Sequence, residues 1–461
     1  MMDHQNQRAG LFHRKNMNEA SHHTKRAYDL LKYGHLYEQQ EDYEKAFISD
    51  TGVIEIAPDL ADAYVRRAKL YHKLEKREQA IADFEQALAR NPAQPDVHFE
   101  LGNVYLELKH YQSAVDAYSK AIQLKPDFAL AYYNRGGSYF SLAEYEIAIA
   151  DFSRTIGLKP NNSLAHYNRG RAYLRLNRYK QAVIDFDKAI ELDPTAHYIY
   201  ESRGLAHLNL KQYEQAIRDC SRAIALNPTS FTAFHNRGFA YYALKEYALA
   251  LSDDNRALEL NPANALTFIS RSLVYYSLKE YALAISDCNR AIELDSNDWR
   301  AYNNRGWLYY ALKDIPKALA DYEQAITLNP DEADHAYNNR AWILAERGEY
   351  ERALEDCERS LRIGADLASA YTQRARVYCW QGDYERALAD CTRALEITPD
   401  QASAYAVRGL IAHAQKQYES ALADLEKARE MDANLFWIED IYHDIRNILN
   451  NTERSNEENE A

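Results

Sequence analysis

The sequence predicts an all-α solenoid of antiparallel helix pairs, and three observations carry that prediction. A 34-residue pattern recurs twelve times between Ala27 and Leu435, with one residue inserted near Ala333. Helix breakers are scarce, 11 Pro and 15 Gly in 461 residues, so most of the chain is free to be helical. Nine of those prolines fall at one place in the pattern, as regular punctuation. A fixed period of this length means stacked supersecondary units rather than separate globular domains.

Each element of the repeat has a physical reason. With positions numbered 1 to 34, the fourth repeat reads ALAYYNRGGSYFSLAEYEIAIADFSRTIGLKPNN over residues 129–162. In the first helix, position 8 is Gly eight times (Gly136, Gly170 and Gly204 among them) and Ala or Ser otherwise. Small residues there and at position 20, which is Ala in all twelve repeats, let the two helices approach closely. Large rings at positions 11 and 17 fill the space beside that contact, position 11 being Tyr nine times. The turn falls near position 14 or 15. Pro at position 32, as in Pro58, Pro126 and Pro399, lacks an N–H and ends the second helix. The two remaining prolines, Pro95 and Pro316, sit in helical first turns, where they are tolerated.

A helix–turn–helix of this length and signature resembles the tetratricopeptide repeat, over about 410 residues of the chain. The resemblance implies a right-handed superhelical solenoid that binds protein ligands in its concave groove. Residues 1–26 read as a flexible lead-in, 27–435 as twelve repeats, and 436–450 as an amphipathic capping helix. Phe436, Trp437, Ile441, Ile445 and Ile448 would cover the last repeat, and residues 451–461 read as a disordered acidic tail.

Ten repeats carry Arg at position 7 and Asp at position 23, from Arg67 with Asp83 to Arg408 with Asp424. The first and third lack both, having Tyr33 with Ser49 and Leu101 with Ala117. Reflection about the turn places position 7 opposite about position 22, which predicts a structural ion pair in the helix-pair interface rather than a basic ladder for acidic ligands. Cys220, Cys288, Cys357 and Cys391 share position 24 and read as small core hydrophobes.

The formal charge of −14 disfavours nucleic-acid binding, which needs clustered Lys and Arg. No run of about 18 apolar residues is present for a membrane span, and the N-terminal segment lacks the apolar core of a secretory signal. Five cysteines without a C-x-x-C pair fit a reducing, cytoplasmic setting. No H-x-x-x-H, H-E-x-x-H, phosphate-loop or nucleophile-elbow motif occurs, so neither a metal, a cofactor nor catalysis is expected.

On the first helix, positions 2, 5, 6, 9, 12 and 13 lie opposite the stripe that meets the second helix. In the resembling family this is the groove surface. Position 6 is Asn in five repeats, Asn134, Asn168, Asn236, Asn304 and Asn339, and carboxamides offer a donor and an acceptor to an extended peptide. The row looks like the asparagine ladder of the repeat domain of O-linked N-acetylglucosamine transferase, interrupted here by Ser202, Ser270, Gln373 and Val407. Repeats seven to ten add rings at positions 9 and 12: Phe239, Tyr242, Tyr276, Trp307, Tyr310 and Trp342. Rings on a face that no repeat core needs point to a partner's apolar side chains. The Lys and Arg clamp of the family's chaperone-binding members is absent, since Phe99, Ser202 and Leu164 occupy clamp positions. The expected function is a non-enzymatic scaffold that binds a peptide or helix of a partner protein; the alternative is an assembly protein whose repeats stack into oligomers.

Overall fold

The computed structural model describes residues 25–432, 435 and 438–460, with backbone alone at 452–460. The described residues form tandem antiparallel helix pairs with no strand. Two compact units divide the chain, residues 1–228 with repeats one to six and residues 229–461 with repeats seven to twelve. Within each unit, every helix packs on its neighbours in sequence. The fourth repeat is typical, with helices Ala129–Ser141 and Tyr145–Leu158. Its first helix is positions 1–13 of the pattern and its second is positions 17–30.

The turn between the two helices has one backbone solution throughout. The residue at position 15 is left-handed in all twelve repeats, from Glu41 (φ 60°) to Lys416 (φ 63°), and only Gly348 and Gly382 are glycine there. In the third repeat Lys109 N–H donates to the Leu106 carbonyl and His110 N–H to that of Tyr105, at 3.0 and 2.9 Å. This 5→2 and 6→1 pair closes the carbonyls left over at a helix C-terminus.

The close approach at position 8 is sharper than the pattern alone indicates. A Cβ on Gly170 would stand 2.7 Å from the Phe186 ring, and one on Gly306 would stand 2.8 Å from Tyr322 and 3.2 Å from the Ala318 carbonyl. Position 8 therefore faces the position-24 side chain and the position-20 carbonyl, rather than the position-20 methyl. That geometry accounts for three of the four cysteines at position 24. Where position 8 gains a Cβ, as in Ser272, Ala341 and Ala375, position 24 shrinks to Cys288, Cys357 and Cys391, all fully buried. Ala68 opposite Phe84 and Gly204 opposite Cys220 are exceptions.

All ten Arg–Asp pairs form within their own repeats, each as a two-bonded fork. Arg305 Nε and Nη2 reach the two Asp321 oxygens at 2.8 and 2.7 Å, and Arg135 meets Asp151 at 2.8 Å on both arms. The remaining arm often crosses to the preceding repeat, as from Arg305 to Asn289 (2.7 Å) and Arg169 to Ser153 (2.9 Å). The Arg305 guanidinium also lies between the rings of Tyr302 and Tyr309. The repeats without the pair use other solutions. In the third, Leu101 and Ala117 join one apolar cluster, and in the first, buried Asp50 accepts from Arg66 of the next repeat at 2.9 Å.

Leu435, which ends the twelfth repeat, and Ile438, Tyr442 and Ile445 beyond it pack on Leu425, Ala428 and Tyr405. Phe436 and Trp437 lie outside the described residues. The terminal helix spans Glu439–Glu460, continuing past residue 450 through the segment read from sequence as a disordered tail. That segment is polar yet holds no Pro or Gly, so its composition does not oppose helix.

Two repeats put a buried acid at position 24, Asp50 in the first and Asp254 in the seventh, and Asp50 accepts from Arg66. Asp254 occupies position 24 of the seventh repeat, fully buried opposite Gly238, with no hydrogen-bond partner for either oxygen. Burial pushes its carboxyl well above the ordinary range; Arg271 opposes the shift while Asp253 and Asp287 add to it. Such an acid contributes stability while protonated, below the unfolded value of about 3.9, and loses it as pH rises through the folded value. Asp254→Leu, the residue at the equivalent Leu425, should raise stability near neutral pH by about 1–3 kcal/mol, since an unsatisfied buried group is removed. The gain should shrink in acid, which urea titrations at two pH values would show. Arg305→Met should cost about 3–5 kcal/mol by leaving Asp321 buried and charged, and adding Asp321→Leu should recover much of it.

Candidate ligand-binding groove

The groove positions of the second unit build a connected row of rings. Because successive first helices lie side by side, position 9 of one repeat meets position 12 of the repeat before it. Tyr276 contacts Trp307 at 6.3 Å between centroids, Trp307 contacts Tyr310 at 5.6 Å, and Tyr310 contacts Trp342 at 6.2 Å. Trp342 then meets Trp380 at 6.4 Å and 87°. These tilted and edge-on contacts are the arrangements that ring quadrupoles favour. Phe239 and Tyr242 form a separate pair at 6.3 Å, with Phe239 exposed.

Hydrogen bonds fix the row. One oxygen of Glu346 accepts from Tyr310 Oη at 2.9 Å and from Trp342 Nε1 at 2.7 Å, which sets both ring orientations. Burial raises the Tyr310 phenol above its ordinary range and the Glu346 charge adds to the shift; burial alone leads at Tyr276 and Tyr242. Arg376, at position 9 of the eleventh repeat, is 3% exposed and stacks on Trp342 with its guanidinium carbon 3.7 Å from the ring centroid. Burial lowers this arginine to about 9, so it stays charged at neutral pH.

Tyr276, Trp307, Tyr310, Asn339 and Trp342 line one cavity of about 390 Å³. Phe239 and Asn304 line a second of about 340 Å³ with Ile269 and Leu273, and Tyr242 lines a third of about 570 Å³. His235, on the second cavity, is held to about 4 by burial, and its Nδ1 lies 3.2 Å from Thr267 Oγ1.

The position-6 amides are more committed than a free ladder would be. Asn339 Nδ2 donates to Asn303 Oδ1 at 3.1 Å, and Asn236 is buried at 6% exposure. In the first unit, Asn134 Nδ2 donates to Asn103 Oδ1 and Asn168 Nδ2 to the Tyr133 hydroxyl, at 2.9 and 2.8 Å. The open amide is instead Asn338, one position earlier, whose nitrogen and oxygen both lack partners. The sequence reading did not single out Asn338, Arg376 or Trp380, and it took Gln373 only as an interruption of the Asn row. Arg376 does share position 9 with Trp307 and Trp342, which could have flagged it; the orientation of Asn338 has no sequence signature.

Among the described residues no group of His, Cys, Asp and Glu could hold a metal ion, and no helix is long and apolar enough to cross a membrane. Family models described as tetratricopeptide repeat match residues 65–129, 129–162, 163–196, 197–230, 267–298, 299–332, 335–365 and 366–434. Residues 231–264, which contain Asp254, lie outside these segments. No curated protein matches the chain. Similar solved structures include the APC/C hetero-tetramer Cut9–Hcn1 (13% identity, 91% of this chain and 96% of that one, TM-score 0.49). Yeast Tom70 is similar at 14% identity, 86% of this chain and 96% of its own, with a TM-score of 0.43. YrrB, described as a repeat protein with an unusual peptide-binding site, shows 24% identity over 41% of this chain and 96% of its own, with a TM-score of 0.35.

Glu346→Gln should remove the charge that holds the Tyr310 proton while keeping an acceptor in place. The Tyr310 phenol should then ionise at lower pH, followed through its ring resonances in tyrosine-labelled protein. An unchanged titration would show that burial alone sets it.

Proposed function

The chain belongs to the tetratricopeptide-repeat family, and on that premise we propose that it is a protein-binding scaffold whose groove in repeats seven to eleven takes a segment of a partner protein. The observation that carries this reading is the connected row Tyr276–Trp307–Tyr310–Trp342–Trp380. The fold does not require it, because the repeat cores are already filled by positions 8, 20 and 24. Half-buried rings that line cavities offer large apolar area at low entropic cost, which is how aromatic anchors dominate protein interfaces.

The groove chemistry suits a peptide better than a lipid or a nucleic acid. Rings supply apolar contact, while Asn303, Asn304, Asn338 and Asn339 supply carboxamides that can pair with main-chain N–H and C=O groups. The net charge of −14 repels phosphate backbones. The scaffold carries no chemistry of its own in this reading; it holds a partner.

The test is capture of binding partners from the native cell by wild-type protein and by Trp307→Ala/Trp342→Ala protein of equal helicity. Losing two anchor rings should cost about 2 kcal/mol or more, a drop of roughly thirtyfold in affinity for a groove ligand. Partners recovered equally by both proteins would place the binding surface elsewhere.

A further inference from the structure

The cavity of about 340 Å³ in repeats seven to nine holds polar groups that its apolar walls leave unexplained. Phe239, Ile269, Leu273 and Trp299 wall it, and His235 and Ser270 line it with them. Ser270 is 5% exposed and its hydroxyl has no hydrogen-bond partner. The protonation of His235 follows from its neighbours. Thr267 gives its hydroxyl proton to Asn264 Oδ1 at 3.0 Å, an oxygen that also accepts the Thr267 N–H at 2.9 Å. Thr267 Oγ1 therefore meets His235 Nδ1, 3.2 Å away, as an acceptor. The imidazole proton then sits on Nδ1, and Nε2 is left as an acceptor. Burial holds this imidazole neutral at neutral pH.

The third repeat shows what completes such a place. Its position 24 is Tyr118, whose Oη donates to Asn103 Oδ1 at position 9, at 2.8 Å. The same oxygen accepts from Asn134 Nδ2, at position 6 of the next repeat, at 2.9 Å. A phenol from the core thus joins the groove positions 9 and 6. In the seventh repeat the equivalents are Phe239 and Ser270, and position 24 is Asp254, a shorter side chain that reaches no partner. The phenol is missing there, and Ser270 is left open.

From this geometry we propose that the cavity is a subsite for a tyrosine side chain of the bound partner, whose hydroxyl donates to His235 Nε2 and accepts from Ser270 Oγ. The inference rests on the groove being the peptide site. The four apolar wall residues take the ring, and the two polar groups select its hydroxyl. Phenylalanine leaves both of them unpaired, and such a loss discriminates more sharply than apolar contact does. An indole N–H serves His235 but offers Ser270 no acceptor. A serine or threonine hydroxyl lacks the apolar body that the walls need. An anionic side chain is disfavoured, because Arg300, the arginine on this cavity, is already forked onto Asp298 at 2.8 and 2.7 Å.

The experiment selects displayed random dodecapeptides on the full-length protein, then measures synthetic versions of the enriched sequences with Tyr and with Phe at each tyrosine. Enriched peptides should share a tyrosine at a fixed spacing from a second apolar residue. Its replacement by Phe should weaken binding by about tenfold to a hundredfold. Ser270→Ala and His235→Phe should each bring the two forms closer in affinity while the Phe peptide still binds. Asp254→Tyr supplies the missing phenol from inside the repeat. Its ring fits, since Gly238 opposes position 24 as Gly306 opposes Tyr322. That variant should resist urea at least as well as wild type, yet bind the tyrosine peptide about tenfold more weakly or worse. Asp254→Leu removes the same acid without reaching the groove, and it should keep full binding. Tyr and Phe peptides of equal affinity, or undiminished binding to Asp254→Tyr, overturn the subsite. The groove reading survives that result if Trp307→Ala/Trp342→Ala still weakens the same peptides. Failure to enrich any peptide, or peptides indifferent to every one of these variants, overturns the groove reading and the subsite together.

Discussion

The structure depends on one interaction repeated ten times, the fork between Arg at position 7 and Asp at position 23. Each fork joins the two helices of a repeat through two charge-assisted hydrogen bonds of fixed geometry. Where the third guanidinium arm reaches the preceding repeat, the same residue also sets the register between repeats. Buried pairs of this kind bring modest net stability, because desolvation offsets much of the attraction, but a slipped register would strand the carboxylate in the core. The fork therefore acts against wrong pairings more than it strengthens the right one. The third repeat fits this view, since Leu101 and Ala117 fill the same space with apolar contact.

Around the fork, volume is balanced between positions 8 and 24. Glycine opposite a ring and a larger residue opposite cysteine are two solutions of one packing problem, and interiors at native density respond to a single methyl group. Asp254 departs from both, a buried acid in a slot that the other repeats fill with rings, thiols or leucine, apart from the first, where Asp50 is held by Arg66. It marks the seventh repeat as a weak point in a stack whose stability is summed over neighbours.

With helix pairing and register fixed by the core, the groove face is released from structural duty and can diverge from repeat to repeat. That freedom is visible at position 9, which passes from Phe239 through Leu273 to Trp307, Trp342 and Arg376. The rings organise one another through edge contacts and through Glu346, so the face is arranged in advance of any ligand. A face with pre-set rings and open amides loses little entropy on binding.

The sequence by itself determined the twelve helix pairs, their turns near position 15, and the ten Arg–Asp pairs. All of these follow from contacts between positions a fixed distance apart, and a period of 34 repeats that distance without error. It also placed Tyr276, Trp307, Tyr310 and Trp342 on one face, since faces of a helix follow from 100° per residue. Tertiary structure alone decided which polar atoms are left open. Asn339 and Asn338 are adjacent and chemically identical, yet one donates to Asn303 and the other has no partner. The burial of Arg376 on Trp342 and the isolation of Asp254 are of the same kind. Each depends on which side chains from several repeats converge at one point, and one-dimensional spacing does not carry that information.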